Sequence, residues 1–415
     1  MLLLYTIMER LSTENDSINI NGFDINENQS SQYNIENWDD LDIRMDLLRG
    51  IYAFGFEKPS PIQKMAIKPM ITGRDIIGQA QSGTGKTGTF SVGTLQLIDL
   101  ALKKTQAVLM SPTHELAKQT EKVIKDLGSM MNGLTVQLLV GGTSIQEDSN
   151  NLKNNTPHIV VGTPGRVFDM FKRDILNPSN IRLFVLDEAD DMLSSGFKEQ
   201  VYNIFQYLPS NVQVALFSAT MPPDILDLTK KFMRNPVKIT MKAEKLNLEC
   251  IQQHYVAVMS DREKYDMLKN LFGFLSMSQC IIYVNSVRRV MELYNAMVEE
   301  GFSVACIHSS MKSQERDRAF NSFKSGAFRV LISSDITARG IDVQQVSVVI
   351  NFDIPKSVDT YLHRIGRSGR WGRKGMAINF ITKYDSQYMR NIEAHYKLNI
   401  TEFKIDESIA EGCIM

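Results

Sequence analysis

The chain has 415 residues, 43% of them hydrophobic, which is enough for two domains with sizeable cores and excludes wholesale disorder. Its 46 lysine and arginine residues are balanced by 47 aspartate and glutamate residues, so binding of nucleic acid would require local basic patches rather than bulk charge. Four cysteines lie far apart in sequence, which argues against a disulfide framework or a zinc site.

The first 37 residues are predicted to form a disordered tail. Residues 9–36 are rich in asparagine, serine, aspartate, glutamate and glutamine, so they cannot bury enough apolar surface to offset chain entropy. No apolar run in the sequence approaches the length of a membrane span. We therefore expect a protein without a membrane anchor, located in the cytoplasm or alternatively in the nucleus.

From Trp38 onward, short β-rich apolar runs alternate with longer amphipathic stretches. This alternation predicts an α/β fold with parallel sheets. The predicted strands of the first half are 75–78, 107–110, 136–140, 158–161, 183–186 and 214–217. Those of the second half are 280–284, 304–307, 330–332, 346–350 and 377–380.

A charged stretch without apolar periodicity, 242–248, is predicted to be the linker between two domains spanning 38–241 and 249–415. Most predicted strands in both domains end in small, polar or charged residues. Open α/β sheets bind their ligands beyond the carboxyl ends of the strands. The sequence therefore predicts two binding faces, one in each domain.

The motif that is most specific for a function is a glycine-rich segment between a predicted strand and a helix-like stretch. Glycines in such a loop let backbone N–H groups curve around phosphate oxygens, a lysine supplies charge for the β- and γ-phosphates, and a threonine hydroxyl binds Mg²⁺. The predicted nucleotide site consists of Ala80, Gln81, Ser82, Gly83, Thr84, Gly85, Lys86 and Thr87. The alternative is an ordinary strand–turn–helix junction.

A second candidate is the pair of carboxylates at the end of the predicted strand 183–186. Asp187 is predicted to hold Mg²⁺ through water, and Glu188 to position and deprotonate the attacking water. Carboxylates are also favourable at any helix N-terminus, so an acidic helix start is the alternative. The neighbouring phosphate loop favours the catalytic interpretation.

Transfer of a γ-phosphate also requires positive charge on the transferring group. Arg367 and Arg370 lie in the other predicted domain, so an arginine finger from that domain would make hydrolysis depend on domain closure. The alternative is a solvated basic turn, since Gly366 and Gly369 are typical turn residues.

The ordered motifs resemble those of the DEAD-box ATP-dependent RNA helicases. The tetrapeptide Asp-Glu-Ala-Asp at 187–190 gives that family its name, and the other matching segments are 55–63, 80–87, 112–117, 141–142, 163–166, 218–220, 338–342 and 363–370. Within the family, segments 49–53, 165–170 and 372–380 look most like the initiation-factor 4A branch and its exon-junction relative. The resemblance implies two tandem RecA-like domains and an RNA-stimulated ATPase that uses ATP and Mg²⁺ to unwind short duplexes.

The resemblance also implies roles for single residues. In the nucleotide site, Trp38 would stack on the adenine, Gln63 would read its edge, and Gly340 and Asp342 would reach the nucleotide from the second domain. The residues that would couple hydrolysis to strand opening are Ser218, Thr220 and His363.

The implied RNA site binds the backbone of a single strand without reading its base sequence. It comprises Pro112, Thr113, Gly141, Gly142, Thr163, Pro164, Gly165 and Arg166. Without the resemblance, these segments would be interpreted as tight turns between strands and helices. His114 replaces an arginine that is typical of the family, which predicts weaker RNA binding.

Three further serines depart from the family pattern: Ser309 and Ser310 replace Gly-Asp, and Ser334 replaces threonine. Because all three serine side chains carry a hydroxyl group, we expect tuning rather than loss of function. Two other functions remain open: an ATP-gated RNA clamp with little unwinding, and a DNA helicase of the same superfamily. The expected partners are RNA and protein scaffolds of initiation-factor type, with the chain acting as a monomer.

Overall fold

The computed structural model describes residues 24–25, 35–80, 83–194, 196–241, 251–274, 279–335, 346–368 and 375–403. Within these ranges, the chain forms two β-sheets in which every neighbouring pair of strands is parallel. One sheet belongs to the first half of the sequence and the other to the second half. The α/β fold of two sheet domains is thereby confirmed.

The first sheet has eight strands among the described residues, in the order β1-β8-β2-β7-β6-β3-β5-β4. Their bounds are Asp24–Ile25 (β1), Ile76–Gln79 (β2), Ala107–Met110 (β3), Val136–Leu139 (β4), Ile159–Gly162 (β5), Leu183–Asp187 (β6), Gln213–Ser218 (β7) and Val237–Thr240 (β8). Since parallel strands need crossover connections, helices link most of these strands and cover the sheet.

The central strand β6 is apolar on both of its faces, so both faces of the sheet must be covered by helices. Leu183 and Val185 pack into one apolar core, whereas Phe184 and Leu186 pack into the other. Because successive side chains of a strand point to opposite faces, this continuous apolar run is buried on both sides. The helices of this domain are Met45–Ala53 (α1), Pro61–Ile71 (α2), Lys86–Leu97 (α3), His114–Leu127 (α4), Ile145–Asn154 (α5), Pro164–Lys172 (α6), Ala189–Ser194 (α7), Lys198–Tyr207 (α8) and Pro223–Phe232 (α9).

The second sheet has seven strands among the described residues, in the order β11-β12-β10-β13-β14-β9-β15. Their bounds are Ile251–Ala257 (β9), Cys280–Tyr283 (β10), Val304–Ile307 (β11), Val330–Ser333 (β12), Val348–Asn351 (β13), Gly375–Ile381 (β14) and Thr401–Glu402 (β15). The helices of this domain are Asp261–Phe274 (α10), Val287–Glu299 (α11), Ser313–Lys324 (α12), Val358–Ile365 (α13) and Ser386–Tyr396 (α14). None of the helices in the described ranges combines the length and the apolar character that a bilayer crossing requires.

Each of the eleven predicted strands overlaps an observed one. The sequence analysis missed four strands, β1, β8, β9 and β15. β1, β8 and β15 have two to four residues each, and in β9 three consecutive polar residues interrupt the alternation of apolar and polar residues. The predicted tail is wrong in two places: β1 pairs with β8, and Ile35 is 3% exposed within the first core. The predicted linker 242–248 lies outside the described residues.

Candidate nucleotide and nucleic-acid site

The phosphate loop lies between β2 and α3, as predicted. Lys86 is the first residue of α3 and is buried; its Nζ donates to the carbonyl of Ala80 at 2.8 Å and lies 3.3 Å from Glu188 Oε1. Gly85 has φ of 104°, and a Cβ there would lie 2.6 Å from Ser60 Oγ. Only glycine therefore allows this tight approach of the loop to α2.

The other loop residues differ in exposure. Gly83 is exposed, and Thr84 and Thr87 are half-buried, so they border the surface of the loop. Gln81 and Ser82 lie outside the described residues. The helix start at Lys86 presents backbone N–H groups toward the loop, which favours binding of an anion there.

The two carboxylates of the predicted catalytic pair are buried at the end of β6. Asp187 and Glu188 are 3% and 5% exposed, and Glu188 has a positive φ of 50°. A non-glycine residue in this backbone region is strained, and such strain tends to occur at functional sites. Burial first, and then the charge of Glu188, raise the pKa of Asp187, whereas the ammonium group of Lys86 lowers it.

The residues present fit a bound Mg²⁺. Asp187 Oδ1 and Glu188 Oε2 are buried and have no hydrogen-bond partner among the described residues, so each has free capacity as an acceptor. The described residues contain no cluster of three or more histidine, cysteine or acidic ligands. Mg²⁺ is commonly held by one or two carboxylates, waters and substrate phosphates, and Asp187 with the Thr87 hydroxyl would hold it here.

Asp190 connects the nucleotide site to the second domain. Its Oδ2 accepts from the hydroxyl of Thr220 at 2.7 Å, and its N–H donates to Ser218 Oγ at 3.3 Å. His363 Nε2, on α13 of the second domain, lies 4.0 Å from the same Asp190 oxygen. The structure therefore brings together the three residues predicted to couple hydrolysis to strand opening, and Asp190 joins them.

Arg367 follows His363 by one helical turn. It is 5% exposed, and its Nε donates to the His363 carbonyl at 3.3 Å. The second predicted finger, Arg370, lies outside the described residues, as do Gly340 and Asp342. The placement of Arg367 beside the interdomain contact is consistent with its predicted role.

The predicted stacking of Trp38 on adenine is wrong. Trp38 is 0% exposed, and its ring is packed against Phe56 at 6.0 Å between centroids, with 11° between the planes. Because no face of the indole is free, a base has no room on it. Phe56, which the sequence analysis missed, is half-buried and lies against Gly88 near the phosphate loop.

Gln63 lies beside the loop and is 4% exposed. Its Oε1 accepts from the Ser60 N–H at 2.7 Å, and its Nε2 donates to the carbonyl of Gly85 at 3.4 Å. The amide therefore links the start of α2 to the phosphate loop, while one lone pair and one N–H remain for a ligand.

Five of the eight predicted RNA residues line one pocket of about 280 Å³ at the carboxyl ends of β3, β4 and β5. Its lining consists of Pro112, His114, Gly141, Thr163, Gly165, Arg166, Asp169 and Phe197. Thr113 and Thr163 are the N-caps of α4 and α6, so two helix starts are directed at this pocket. Gly142 has φ of 80°, which a residue with a Cβ rarely adopts. Pro164 is the buried first residue of α6.

Arg166 lines the same pocket, and its guanidinium has partners within the protein. Its Nη1 forms a buried ion pair with Asp148 and donates to Thr143 Oγ1 at 2.9 Å. Its Nη2 donates to the Thr143 carbonyl at 2.8 Å. These contacts fix the turn that follows β4, and a contact of Arg166 with RNA stays a prediction. No sequence signal identified Asp148 as its partner.

His114 borders the same pocket. Burial lowers the pKa of its imidazole, the charge of Glu115 opposes this shift, and the cations Arg316, Lys118 and Arg166 reinforce it. Burial and these cations therefore favour the neutral form of the imidazole.

Residues 60–228 match the DEAD/DEAH box helicase family, and residues 263–372 match the helicase conserved C-terminal domain. Eukaryotic initiation factor 4A of Caenorhabditis elegans is 52% identical over 377 residues, which are 91% of this chain and 93% of that protein. The chain belongs to the DEAD-box helicase family. The predicted family resemblance is thereby confirmed.

Solved structures of a yeast relative are similar to this chain over most of its length. The structure of S. cerevisiae Dbp5 bound to RNA and ADP BeF3 has a TM-score of 0.84 at 34% identity, covering 92% of this chain and 100% of that one. The structure of a Dbp5 variant bound to Nup159, Gle1, IP6 and ADP has a TM-score of 0.63 at 34% identity, covering 90% of this chain and 98% of that one.

Proposed function

We propose that this DEAD-box protein is an RNA helicase that binds ATP on its first domain, closes its second domain over ATP and RNA, and opens short duplexes. The observation that carries the proposal is the contact of His363 with Asp190, because it joins the two domains beside the carboxylates of the nucleotide site. The similarity to initiation factor 4A over most of the chain supports RNA as the nucleic acid.

Hydrolysis would use groups that the fold has already placed. Lys86 would bind the β- and γ-phosphates, Glu188 would accept the proton of the attacking water, and Arg367 would approach the γ-phosphate from the second domain. Mg²⁺, held by Thr87 and Asp187, would neutralise charge on the phosphates. The 3.3 Å separation of Lys86 and Glu188 supports the proposal that the base and the phosphate ligand act at one centre.

Coupling would follow from the shared use of Asp190. Loss of the γ-phosphate would release the second domain, and His363 would then leave Asp190. Because binding energies are reciprocal, ATP should tighten RNA binding, and RNA should tighten ATP binding, by the same factor. Phe56 and Gln63 would bind the adenine.

The RNA backbone would lie along the pocket between the starts of α4 and α6. Backbone N–H groups and the hydroxyls of Thr113 and Thr163 suit phosphate oxygens and carry no information about bases. Sequence-independent binding of a single strand follows. A role in translation initiation, a cytoplasmic location and scaffold partners of initiation-factor type are proposed from the similarity to initiation factor 4A.

The decisive test is Glu188→Gln, with Glu199→Gln on the exposed start of α8 as the matched control. Removal of the base should lower the kcat of RNA-stimulated ATP hydrolysis by about 100-fold or more, while ATP and RNA remain bound together. Hydrolysis should respond to poly-RNA and not to DNA of the same length. Parental turnover in Glu188→Gln would exclude the assigned base, and equal stimulation by DNA would exclude RNA specificity.

An ATP-gated RNA clamp is the second candidate, and one observation favours it. Arg316 and Glu115 form an interdomain ion pair whose two side chains are each 10% exposed, so the closed state contains a buried contact that must break on release. Multiple-turnover unwinding of a labelled duplex separates the two functions. A helicase unwinds several duplexes per molecule, whereas a clamp remains on its first RNA.

A further inference from the structure

Helix α13 is fixed to the second sheet by two buried polar side chains. Tyr361 and Arg364 are three residues apart, and both are 0% exposed. Residues with this spacing lie on the same face of a helix, and this face is directed at the sheet. His363 Nε2 lies 4.0 Å from Asp190 of the first domain, and Arg367 lies in the turn that directly follows α13.

The Tyr361 hydroxyl is joined to the sheet in both directions. It donates to Gln253 Oε1 on β9 at 2.9 Å and accepts from Asn379 Nδ2 on β14 at 3.3 Å. Asn379 Nδ2 also donates to the carbonyl of His254 at 2.9 Å. The hydroxyl therefore has both a donor and an acceptor contact inside the protein.

Asn351 continues this network to Arg364. Its Nδ2 donates to Asn379 Oδ1 at 2.8 Å, and its Oδ1 accepts from Arg364 Nη1 at 3.3 Å. Asn351 and Asn379 are both 0% exposed. A continuous row of hydrogen bonds thus crosses β9, β14 and β13 beneath α13.

Arg364 donates hydrogen bonds to residues that follow the carboxyl ends of three strands. Its Nε donates to Asp335 Oδ1 at 2.6 Å, its Nη1 to the Asp353 carbonyl at 2.7 Å, and its Nη2 to Asn285 Oδ1 at 2.8 Å. Each of these residues stands two positions after the end of its strand, β12, β13 or β10. The guanidinium also lies over the Tyr283 ring at 5.2 Å.

This network of buried hydrogen bonds has a role beyond packing α13 against the sheet. Burial of polar groups is unfavourable unless each is hydrogen-bonded, and apolar residues of similar volume would hold a helix on a sheet at least as well. Hydrogen bonds, unlike apolar contacts, fix direction and register. The network therefore determines the rotation of α13 about its axis, and with it the directions of His363 and Arg367.

We propose that Tyr361, Asn379 and Asn351 are positioning residues for ATP hydrolysis, acting through α13 to place Arg367 and His363 when the domains close. The inference rests on the proposed function, because it assumes that Arg367 acts on the nucleotide. None of the three touches the nucleotide site, so their effect is on geometry.

The test is Tyr361→Phe, which removes one oxygen from the full-length protein. The kcat of RNA-stimulated hydrolysis should fall about tenfold, because small displacements of a catalytic group are costly. The KM for ATP should change less than twofold, because the phosphate loop lies in the other domain. Ile378→Val is the matched control: Ile378 neighbours Asn379 on β14, is 0% exposed and packs its side chain in an apolar core.

Gln253→Leu removes the same hydrogen bond from the sheet side and replaces Tyr361→Phe if that variant does not fold. The double variant with Tyr361→Phe and Gln253→Leu should have the kcat of the more affected single variant, since both substitutions remove the same hydrogen bond. A kcat lowered by the product of the two single effects would overturn the proposal. So would a kcat in Tyr361→Phe as high as that of Ile378→Val at equal melting temperature.

Arg367→Ala separates this inference from the proposed function. If Arg367→Ala hydrolyses ATP at the parental rate, the proposed function fails. If Arg367→Ala is inactive while Tyr361→Phe turns over as fast as Ile378→Val, only the positioning role fails.

Discussion

Arg316 of the second domain forms an ion pair with Glu115 of the first, with 2.7 Å between Nη1 and Oε1 and each side chain only 10% exposed. The pair joins the second residue of α4 to the first turns of α12. Domain closure therefore buries two opposite charges against each other. An unpaired charge in that position would be strongly unfavourable, whereas an intact pair is tolerated.

We expect charge reversal at either position to hinder closure. Arg316→Glu and Glu115→Arg should each weaken RNA binding about tenfold or more in the presence of a non-hydrolysable ATP analogue, because each places like charges together in a buried contact. The double variant should regain most of the lost affinity. Fluorescence anisotropy titrations measure the RNA affinity of the two single variants and of the double variant.

The matched control is Lys125→Ala, which breaks an ion pair with Glu121 within α4. Exposed pairs of this kind contribute little, so RNA affinity should change less than twofold. If the double reversal is as weak as the single variants, the Arg316–Glu115 pair does not hold the closed state together.

A second interdomain pair has a different environment. Lys118 Nζ lies 2.5 Å from Asp317 Oδ2, but these side chains are 34% and 37% exposed. Water and salt screen such a pair, so Lys118→Ala should weaken RNA binding only about twofold, and the effect should vanish at about 0.5 M salt. A tenfold loss that persists at high salt would contradict this assignment.

The sequence predicted those features that depend on short-range patterns. The eleven predicted strands overlap observed ones, and the described residues of the phosphate loop and the pair Asp187 and Glu188 lie at the strand ends that local composition and spacing indicated. The family resemblance predicted a coupling role for His363, and its contact with Asp190 became evident only from the fold.

One error in the site concerns a residue whose environment is set by distant segments. Trp38 is aromatic and close to the nucleotide site, but burial against Phe56 leaves it no free face. The ion pair of Arg166 with Asp148, eighteen residues earlier, was likewise not predicted from the sequence. Exposure and pairing depend on tertiary packing, which residue type alone does not reveal.

His114→Arg should strengthen RNA binding and steepen its salt dependence. The parent imidazole is neutral, because burial and three nearby cations lower its pKa. A guanidinium beside Gly141 would add one phosphate contact, so the slope of log Kd against log salt should rise by about one unit. His114→Gln is the control and should leave the slope unchanged. An unchanged slope in His114→Arg would exclude a phosphate contact at this position.

His158 predicts a pH dependence of stability. The side chain is 0% exposed, and its Nδ1 accepts from the Thr135 N–H at 3.1 Å. Burial lowers the pKa of the imidazole below its usual value of 6.5. Below pH 6.5, this imidazole is therefore protonated to a greater extent in the unfolded chain than in the folded chain. The free energy of unfolding should therefore fall as the pH falls from 7 to 5.5, by at most about 1.4 kcal/mol per pH unit from this group.

Urea unfolding of the parent and of His158→Gln at pH 7.5 and 5.5 measures this contribution. His158→Gln should be less stable than the parent at pH 7.5, and its stability should change less between the two pH values because the titrating group is gone. Thr135→Val retains the imidazole and the backbone donor, so it should lose stability at both pH values and keep a parental pH dependence. An equal pH dependence in His158→Gln and the parent would assign the effect to other groups.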